Sequence, residues 1–200
     1  MKIILSTRNP SKAAQIKEIL VELSVDILTL SEVGIEGEAI ENGTTLQENA
    51  LKKALYAYER LTTKTWTMAD DTGLFIEALN GEPGIRAARW AGEEATTEEI
   101  MQYTLKRLDG ILDRAAVFET LVALVSPDGE QYFFSGVTHG YLLETPQIVP
   151  RQKMPYSAIF VPEDCTKVLA AMTIEEENKV SHRGKAFRQV STFLAKMIDQ

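Results

Sequence analysis

Residues 69–74 read Ala-Asp-Asp-Thr-Gly-Leu, so two adjacent carboxylates follow an apolar run and precede Thr-Gly. Side chains alternate faces along a strand, so Asp70 and Asp71 can share one environment only if the strand ends there and the backbone turns. Gly73 would permit such a turn. Paired carboxylates at a turn are suitable ligands for a hard cation such as Mg²⁺. A solvated turn rich in Asp and Gly is the alternative interpretation, because turns favour these residues.

The composition is that of an ordinary globular protein. Its 200 residues fit one domain, and 44% are apolar and 25% charged. The single cysteine, Cys165, excludes an intrachain disulfide framework and a cysteine-rich metal site. No apolar run approaches the ~18 residues that suggest a membrane span, and the N-terminus lacks the pattern of a signal peptide. We therefore expect a cytoplasmic protein that does not contact membranes.

The net charge of −8 disfavours binding of a nucleic-acid polymer, which needs clustered Lys and Arg. It is compatible with a mononucleotide, for which a few local cations are enough. Residues 2–6 and 25–30 are predicted strands around a helix that runs to about Leu23, which indicates an α/β unit. Residues 7–12 form the turn before that helix, whose N-terminus favours anions near Lys12.

Two later segments carry clear structural signals. A helix is predicted from Thr45 to about Leu61, and Asn49 within it is a mild functional hint, because Asn prefers caps and turns. Residues 115–125 and 131–143 are predicted strands of a hairpin, because Asp-Gly lies in the segment between them.

The last part of the chain combines apolar and strongly charged segments. Residues 157–161 are a predicted short strand, and the acidic residues 175–177 suggest a solvated turn or a short helix. Ser181 is a natural N-cap for a terminal helix. Four potential cations follow near the positive end of that helix, where an anionic ligand would relieve their repulsion. They are His182, Arg183, Lys185 and Arg188.

Five ordered blocks carry a resemblance to a known family. Residues 7–12 match T-x-N-x-x-K, and residues 41–53 match E-x-G-x-T-(F/L)-x-E-N-A-x-x-K. Residues 69–74 match A-D-D-(S/T)-G-L, residues 81–92 match G-x-P-G-(V/I)-x-(S/A)-A-R-(Y/W)-A-G, and residues 181–184 read S-H-R-G. The chain resembles the Ham1/RdgB-like inosine triphosphate pyrophosphatases, which release pyrophosphate from non-standard purine nucleoside triphosphates.

The resemblance implies one domain over residues 1–200 with an elongated, two-lobed α/β fold and a mixed sheet, related to the Maf-like enzymes. The nucleotide would bind in the cleft between the lobes, and the hairpin at 115–143 would frame the second lobe. It also implies Mg²⁺-dependent cleavage of the triphosphate at the α-phosphorus and a homodimer.

The resemblance implies a role for each residue in the matched blocks. Glu41 and Asp70 would bind Mg²⁺, Asp71 would activate water, and Lys53 would act with them on the phosphates. The implied substrate-binding residues are Thr7, Asn9, Lys12, Thr72, Met154, Tyr156, Ser157, Glu177, His182 and Arg183.

The departures from the family pattern fall where the base should be read. The family's G-F-G-Y-D-P-I-F is replaced at residues 153–160, so Met154 stands at the stacking aromatic and Ser157 at the base-reading Asp. Glu177 stands where members commonly carry a Lys that donates to a purine keto oxygen, which a carboxylate cannot do. We hypothesise that specificity for inosine and xanthosine triphosphates is weakened, broadened or redirected.

Three alternatives stay open on these residues. The first is a pyrophosphatase for another modified or pyrimidine nucleotide. The second is a nucleotide-binding regulator without turnover, against which the acidic cluster argues. The third is an α/β domain that merely has acidic turns, which five ordered blocks disfavour.

Overall fold

The computed structural model describes residues 1–198, which contain both strands and helices. The strands are β1 (Lys2–Leu5), β2 (Asp26–Thr29), β3 (Trp66–Ile76), β4 (Pro83–Gly84), β5 (Ala115–Val125), β6 (Gln131–Leu142) and β7 (Phe160–Pro162). The helices are α1 (Pro10–Ile19), α2 (Leu46–Arg60), α3 (Thr97–Arg107), α4 (Ile174–Val180) and α5 (His182–Ile198). Short 3-10 turns lie at Glu77–Leu79, Ala87–Arg89 and Leu169–Ala171.

These strands form one sheet in the order β2-β1-β3-β5-β6-β7, with β4 paired to β3 off that path. β1 runs parallel to β2 and β3, whereas β3, β5, β6 and β7 are successively antiparallel. The predicted mixed-sheet α/β fold is therefore confirmed, and its division into two lobes stays a prediction. Within residues 1–198, no helix is long and apolar enough to cross a membrane.

The strand that carries the Asp pair does not end there, so the expected turn at Gly73 is wrong. β3 continues to Ile76, and Asp70 and Asp71 pair with Val122 and Leu121 of β5. A long partner strand keeps the backbone extended through the acidic pair. Consecutive residues of such a strand point to opposite faces of the sheet. The two carboxylates therefore enter two environments.

Gly73 serves close packing. A Cβ at this position would lie 2.8 Å from the Phe75 ring and 3.1 Å from the carbonyl oxygen of Gly84 in β4. Glycine lets the short strand β4 and the Phe75 ring approach β3, which is a common use of glycine inside a strand.

Two other boundaries differ from the predictions. α1 ends at Ile19 instead of about Leu23, although Leu23 still packs against the core cluster around α1. The strand predicted from Ser157 begins at Phe160, because residues 154–160 turn and the Phe160 N–H donates to the Tyr156 carbonyl at 2.9 Å. The acidic residues 175–177 lie in the short helix α4, which is one of the two forms predicted for them. The apolar residues after Ile19 keep helical spacing but lie outside the helix, so spacing alone placed the end of α1 too late.

The predicted hairpin is confirmed. β5 and β6 pair along their whole length, from Ala115 opposite Tyr141 to Val125 opposite Gln131. The Ser126 N–H donates to the Glu130 carbonyl at 2.9 Å and closes the loop. Gly129 has φ +88, a left-handed conformation that glycine adopts without strain.

Two large apolar clusters lie along β3. Met68 belongs to the cluster of β1, α1 and α5, which includes Phe187. Leu74 belongs to the cluster that contains Phe118 and Phe160. Asp70 and Asp71 lie between these two positions on the strand, so apolar packing fixes the backbone on both sides of the carboxylates.

The contact between α4 and α5 leads to a test of the fold. A Cβ at Gly184 would overlap the backbone of Asn178 in α4, which cannot move independently of its helix. We expect Gly184→Ala to lower the free energy of unfolding by about 1–3 kcal/mol, the usual cost of overpacking. Urea denaturation measures this loss. Thr192→Ala, at an exposed position of the same helix, is the control, and equal stability of the two variants would contradict the tight contact.

Candidate active site

The two faces of β3 give Asp70 and Asp71 different partners. Asp70 Oδ2 accepts hydrogen bonds from Lys12 Nζ at 3.0 Å and Arg183 Nε at 3.2 Å, and its side chain is 1% exposed. Gln15 Oε1 accepts from the same guanidinium at 2.8 Å. This face of the strand thus carries a buried ion network that ties α1 and α5 to β3.

Asp71 points toward α2. Its Oδ1 accepts from Lys53 Nζ at 2.6 Å, and its Oδ2 accepts from Asn49 Nδ2 at 3.3 Å. Lys53 Nζ also lies 3.2 Å from Glu41 Oε1. One ammonium group therefore joins two carboxylates, and an amide fixes the second oxygen of Asp71.

The loop before α2 is held so that Glu41 reaches this ammonium. The Gly43 N–H donates to Asn49 Oδ1 at 2.8 Å, so the buried Asn49 amide binds both the loop and Asp71. Arg89 Nη2 donates to the Glu41 carbonyl at 2.8 Å. Asn49 lies in the helix interior because its amide serves the site, which accounts for its unusual position in the sequence.

The surroundings shift the two aspartates in opposite directions. Burial acts to raise the pKa of Asp70, but the charges of Lys12, Arg183 and Lys53 outweigh burial and hold that pKa well below its ordinary value. Burial raises the pKa of Asp71 above its ordinary value even though Lys53 opposes it. Asp70 is thus a fixed anion, and Asp71 is the better proton acceptor.

The two lysines also differ. Burial lowers the pKa of Lys12; Asp70 opposes that effect, and Arg183 adds to it. Burial acts to lower the pKa of Lys53 as well, but Asp71 and the other nearby carboxylates outweigh burial and raise it. Lys53 therefore keeps its proton firmly.

The N-terminus of α1 faces the same region. Asn9 is its N-cap, and its Oδ1 accepts from the N–H groups of Ser11 and Lys12. Thr7 Oγ1 accepts from the Asn9 N–H at 3.2 Å. Asn9 Nδ2 donates to the Lys153 carbonyl at 3.2 Å, so one side chain caps the helix and holds the loop that contains Met154.

A cavity of about 140 Å³ collects most of the predicted site. All the predicted site residues line it except Thr7, Asn9 and Asp70. Apolar side chains such as Phe118 and Leu169 line it together with these polar groups. Its volume resembles that of a cavity that holds one aromatic ring, so it suits a base rather than a whole nucleotide. A larger groove of about 570 Å³ near His139 shares no lining residue with it.

The end of the cavity near Met154 contains a buried ion pair that the sequence did not reveal. Arg151 Nη1 donates to Glu177 Oε2, and its Nη2 donates to the carbonyls of Leu169 and Met172. The Glu177 side chain is 2% exposed. The solvated character predicted for residues 175–177 is therefore wrong at Glu177, because Arg151 neutralises it in the interior.

The cations at the start of α5 are satisfied by the protein itself. Arg183 pairs with Asp70, and Lys185 Nζ donates to the Val137 carbonyl at 2.8 Å. Burial lowers the pKa of His182 well below its ordinary value, so this side chain is neutral at pH 7. An anionic ligand is therefore not needed to relieve repulsion there.

Sequence reasoning missed three residues that shape the site. Gln15 orients Arg183, Arg151 neutralises Glu177, and Arg89 holds the Glu41 loop. Arg89 lies in one of the matched motifs, and that motif could have indicated its role in the site. Gln15 and Arg151 lie outside all the matched motifs, and their partners are far away in the sequence.

The arrangement fits a Mg²⁺ ion that binds together with a phosphate. Within residues 1–198, no group of three or more His, Cys, Asp or Glu side chains is arranged to hold a metal. Glu41 and Asp71 nevertheless line one cavity and share Lys53. Mg²⁺ commonly uses one or two carboxylates plus substrate phosphates, so this donor set is sufficient.

Comparison with known proteins assigns the chain that carries these motifs to a family. The model of the Ham1 family matches residues 3–193. The chain belongs to the Ham1 family. It is 36% identical to the dITP/XTP pyrophosphatase of Caldanaerobacter subterraneus, over 100% of this chain and 99% of that protein. The dITP/XTP pyrophosphatase of Thermoanaerobacter pseudethanolicus is 37% identical, with 100% of both chains covered.

Solved Ham1 structures share the fold. The Ham1 protein of Staphylococcus aureus superposes with a TM-score of 0.82 at 30% identity, covering 98% of this chain and 100% of that chain. The HAM1 protein of Coxiella burnetii gives a TM-score of 0.83 at 32% identity, covering 98% and 99%. The resemblance drawn from the motifs is confirmed.

The network around Asp70 predicts a strong effect on stability. Asp70→Asn would leave the partly buried Lys12 and the buried Arg183 without a counter-charge. Removing one partner of such a pair costs about 3 kcal/mol, so we expect a loss of that size in urea denaturation. Asp128→Asn, the same change in the exposed hairpin loop, should alter stability by less than about 0.5 kcal/mol. Equal stabilities would show that Asp70 does not anchor the two cations.

Proposed function

We propose that this protein hydrolyses non-standard purine nucleoside triphosphates to nucleoside monophosphate and pyrophosphate. The observation that carries the proposal is Asp71, a buried carboxylate held by Lys53 and Asn49 at the wall of a base-sized cavity. The dITP/XTP pyrophosphatases among its relatives support this substrate class.

The triphosphate binds where cations and a helix N-terminus converge. Lys12 and Lys53 both line the cavity, and the N-terminus of α1 adds partial positive charge. Thr7 and Asn9 shape the turn that presents those groups. The base occupies the enclosed end beside Met154, and the phosphates extend toward the lysines.

Asp71 acts on the attacking water. It accepts a proton from the water, whose oxygen forms a bond to the α-phosphorus. The bond from the α-phosphorus to the bridging oxygen breaks, and its electron pair leaves with pyrophosphate. Lys12 and Lys53 stabilise the charge that develops on the phosphate oxygens, and such electrostatic stabilisation usually accounts for most of the rate enhancement in phosphoryl transfer.

A bound Mg²⁺ would offset phosphate charge and polarise the α-phosphate. The sequence predicted Glu41 and Asp70 as its ligands. Glu41 lines the cavity next to Asp71, whereas Asp70 is engaged by Lys12 and Arg183 on the other face. We therefore assign the metal to Glu41 together with the substrate phosphates, keep Asp71 for the attacking water, and assign Asp70 as the anchor of the two cations.

The remaining expectations belong to the same proposal. The substrate is a free nucleotide, and neither a nucleic-acid polymer nor a membrane is a partner. The two-lobed single domain and the homodimer stay predictions, and light scattering after size-exclusion chromatography measures the second. A nucleotide-binding regulator without turnover is the competing hypothesis. Hydrolysis that needs Asp71 as the proton acceptor distinguishes the enzyme from the regulator.

Substitution of Asp71 tests the catalytic assignment. Asn keeps the shape of Asp71 but cannot take the proton of water, so kcat for ITP, dITP or XTP should fall at least about 100-fold. Pyrophosphate release measures the rate, and circular dichroism checks the fold. Asp128→Asn should keep wild-type turnover. Full activity of Asp71→Asn would remove this residue from the mechanism, and tight binding without turnover in the wild type would favour the regulator.

Metal dependence is a separate test. EDTA should abolish pyrophosphate release by the wild-type protein, and added Mg²⁺ should restore it, because the carboxylates and phosphates otherwise repel each other. Glu41→Gln should raise the Mg²⁺ concentration needed for half-maximal rate. Turnover that persists in EDTA would contradict a metal at Glu41.

A further inference from the structure

Helix α4 brings one carboxylate into the enclosed end of the cavity. Glu177 lines this end together with Met154 and Leu169, and only 2% of its side chain is exposed. A buried carboxylate needs a partner, and Arg151 supplies one at Oε2. The other oxygen, Oε1, receives no hydrogen bond from residues 1–198, and it is not among the sealed, unpartnered atoms of the interior. This oxygen thus has no protein partner among residues 1–198, and on a residue that lines the cavity it is the atom left for a ligand.

The neighbouring hydroxyl groups at this end already have partners. Ser157 Oγ donates to the Met154 carbonyl at 2.7 Å and accepts from the Arg151 N–H at 3.0 Å. The Tyr156 hydroxyl donates to the Ala87 carbonyl at 2.7 Å. Both hydroxyls therefore hold the loop in place, and of these three side chains Glu177 is the one that keeps an acceptor for a base.

His182 also lines the cavity but does not distinguish bases by charge. Its ring stacks on Phe118 with centroids 4.4 Å apart, and burial keeps it neutral through a lowered pKa. A neutral imidazole offers a donor on one nitrogen and an acceptor on the other. Nδ1 is buried without a partner among residues 1–198, so Nε2 is the nitrogen left for a base, and it donates or accepts according to the tautomer.

We propose that Glu177 makes this protein prefer bases that present an exocyclic amino group over bases that present a keto group at the same position. A carboxylate accepts hydrogen bonds and cannot donate them, so an amino group is bound and a keto oxygen is repelled. Carboxylates read the amino group of cytosine in DNA by the same chemistry. This inference rests on the proposed release of pyrophosphate and changes the order of its substrates: ITP, dITP and XTP, which carry a keto group at that position, are cleaved more slowly than nucleotides that carry an amino group there.

Isosteric nucleotide pairs test the preference. ATP and ITP differ at one position, amino against keto, and CTP and UTP provide the same comparison on a smaller ring. We expect kcat/KM for ATP to exceed that for ITP by at least about tenfold, the size of one good hydrogen-bond discrimination. CTP should exceed UTP in the same direction. ITP at or above ATP would overturn the proposal.

Glu177→Gln shows whether this side chain sets the ratio. The amide both donates and accepts, so the ATP-to-ITP ratio should fall toward one while Arg151 keeps a partner at the amide oxygen. Glu175→Gln is the matched control, because it is the same change on the same helix at a side chain that is 75% exposed. An unchanged ratio in Glu177→Gln, with a folded protein by circular dichroism, would assign base choice elsewhere.

A binding measurement separates this inference from the proposed hydrolysis. The α,β-methylene analogues of ATP and ITP cannot be cleaved between the α- and β-phosphorus, so calorimetry reports base preference without turnover. Tighter binding of the ATP analogue, lost in Glu177→Gln, would support the role of Glu177 even if no nucleotide were hydrolysed. Equal binding of the two analogues would overturn it even if hydrolysis were found.

Discussion

The alternation of side chains along β3 is the constraint on which the site depends. Because the strand stays extended through Asp70 and Asp71, one carboxylate must face α1 and α5 and the other must face α2. The same backbone segment thus supplies a permanently charged anchor and a partly desolvated carboxylate. Apolar packing before and after the pair, at Met68 and Leu74, keeps the register that makes this division possible.

Much of this arrangement could be predicted from local sequence. The motifs identified the family and with it the mixed sheet, and the Asp-Gly turn predicted the long hairpin. The turn expected at Gly73 was wrong because the decisive partner, β5, lies some fifty residues later and keeps β3 extended. Local turn propensity does not report the pairing of strands that lie so far apart in the sequence.

Prediction from the sequence failed at the end of the cavity near Met154, which is proposed to bind the base. The sequence showed that Ser157 and Glu177 depart from the family pattern, but residue type does not reveal which atoms are already bonded. Arg151 determines the bonding of both residues, because its backbone N–H binds Ser157 and its side chain neutralises Glu177. A lone Arg in an irregular, proline-rich segment carries no signal of that role. Only the fold brings it to α4.

Asn9 connects two separate parts of the proposed nucleotide site. Its amide caps α1 through Oδ1 and grips the Lys153 carbonyl through Nδ2, which spans 144 residues of sequence. The turn proposed to meet the phosphates and the loop proposed to meet the base are therefore joined through one planar group. In the proposed function a shift of the helix tip would reach this loop, so the two halves of the nucleotide would be bound jointly rather than as separate fragments.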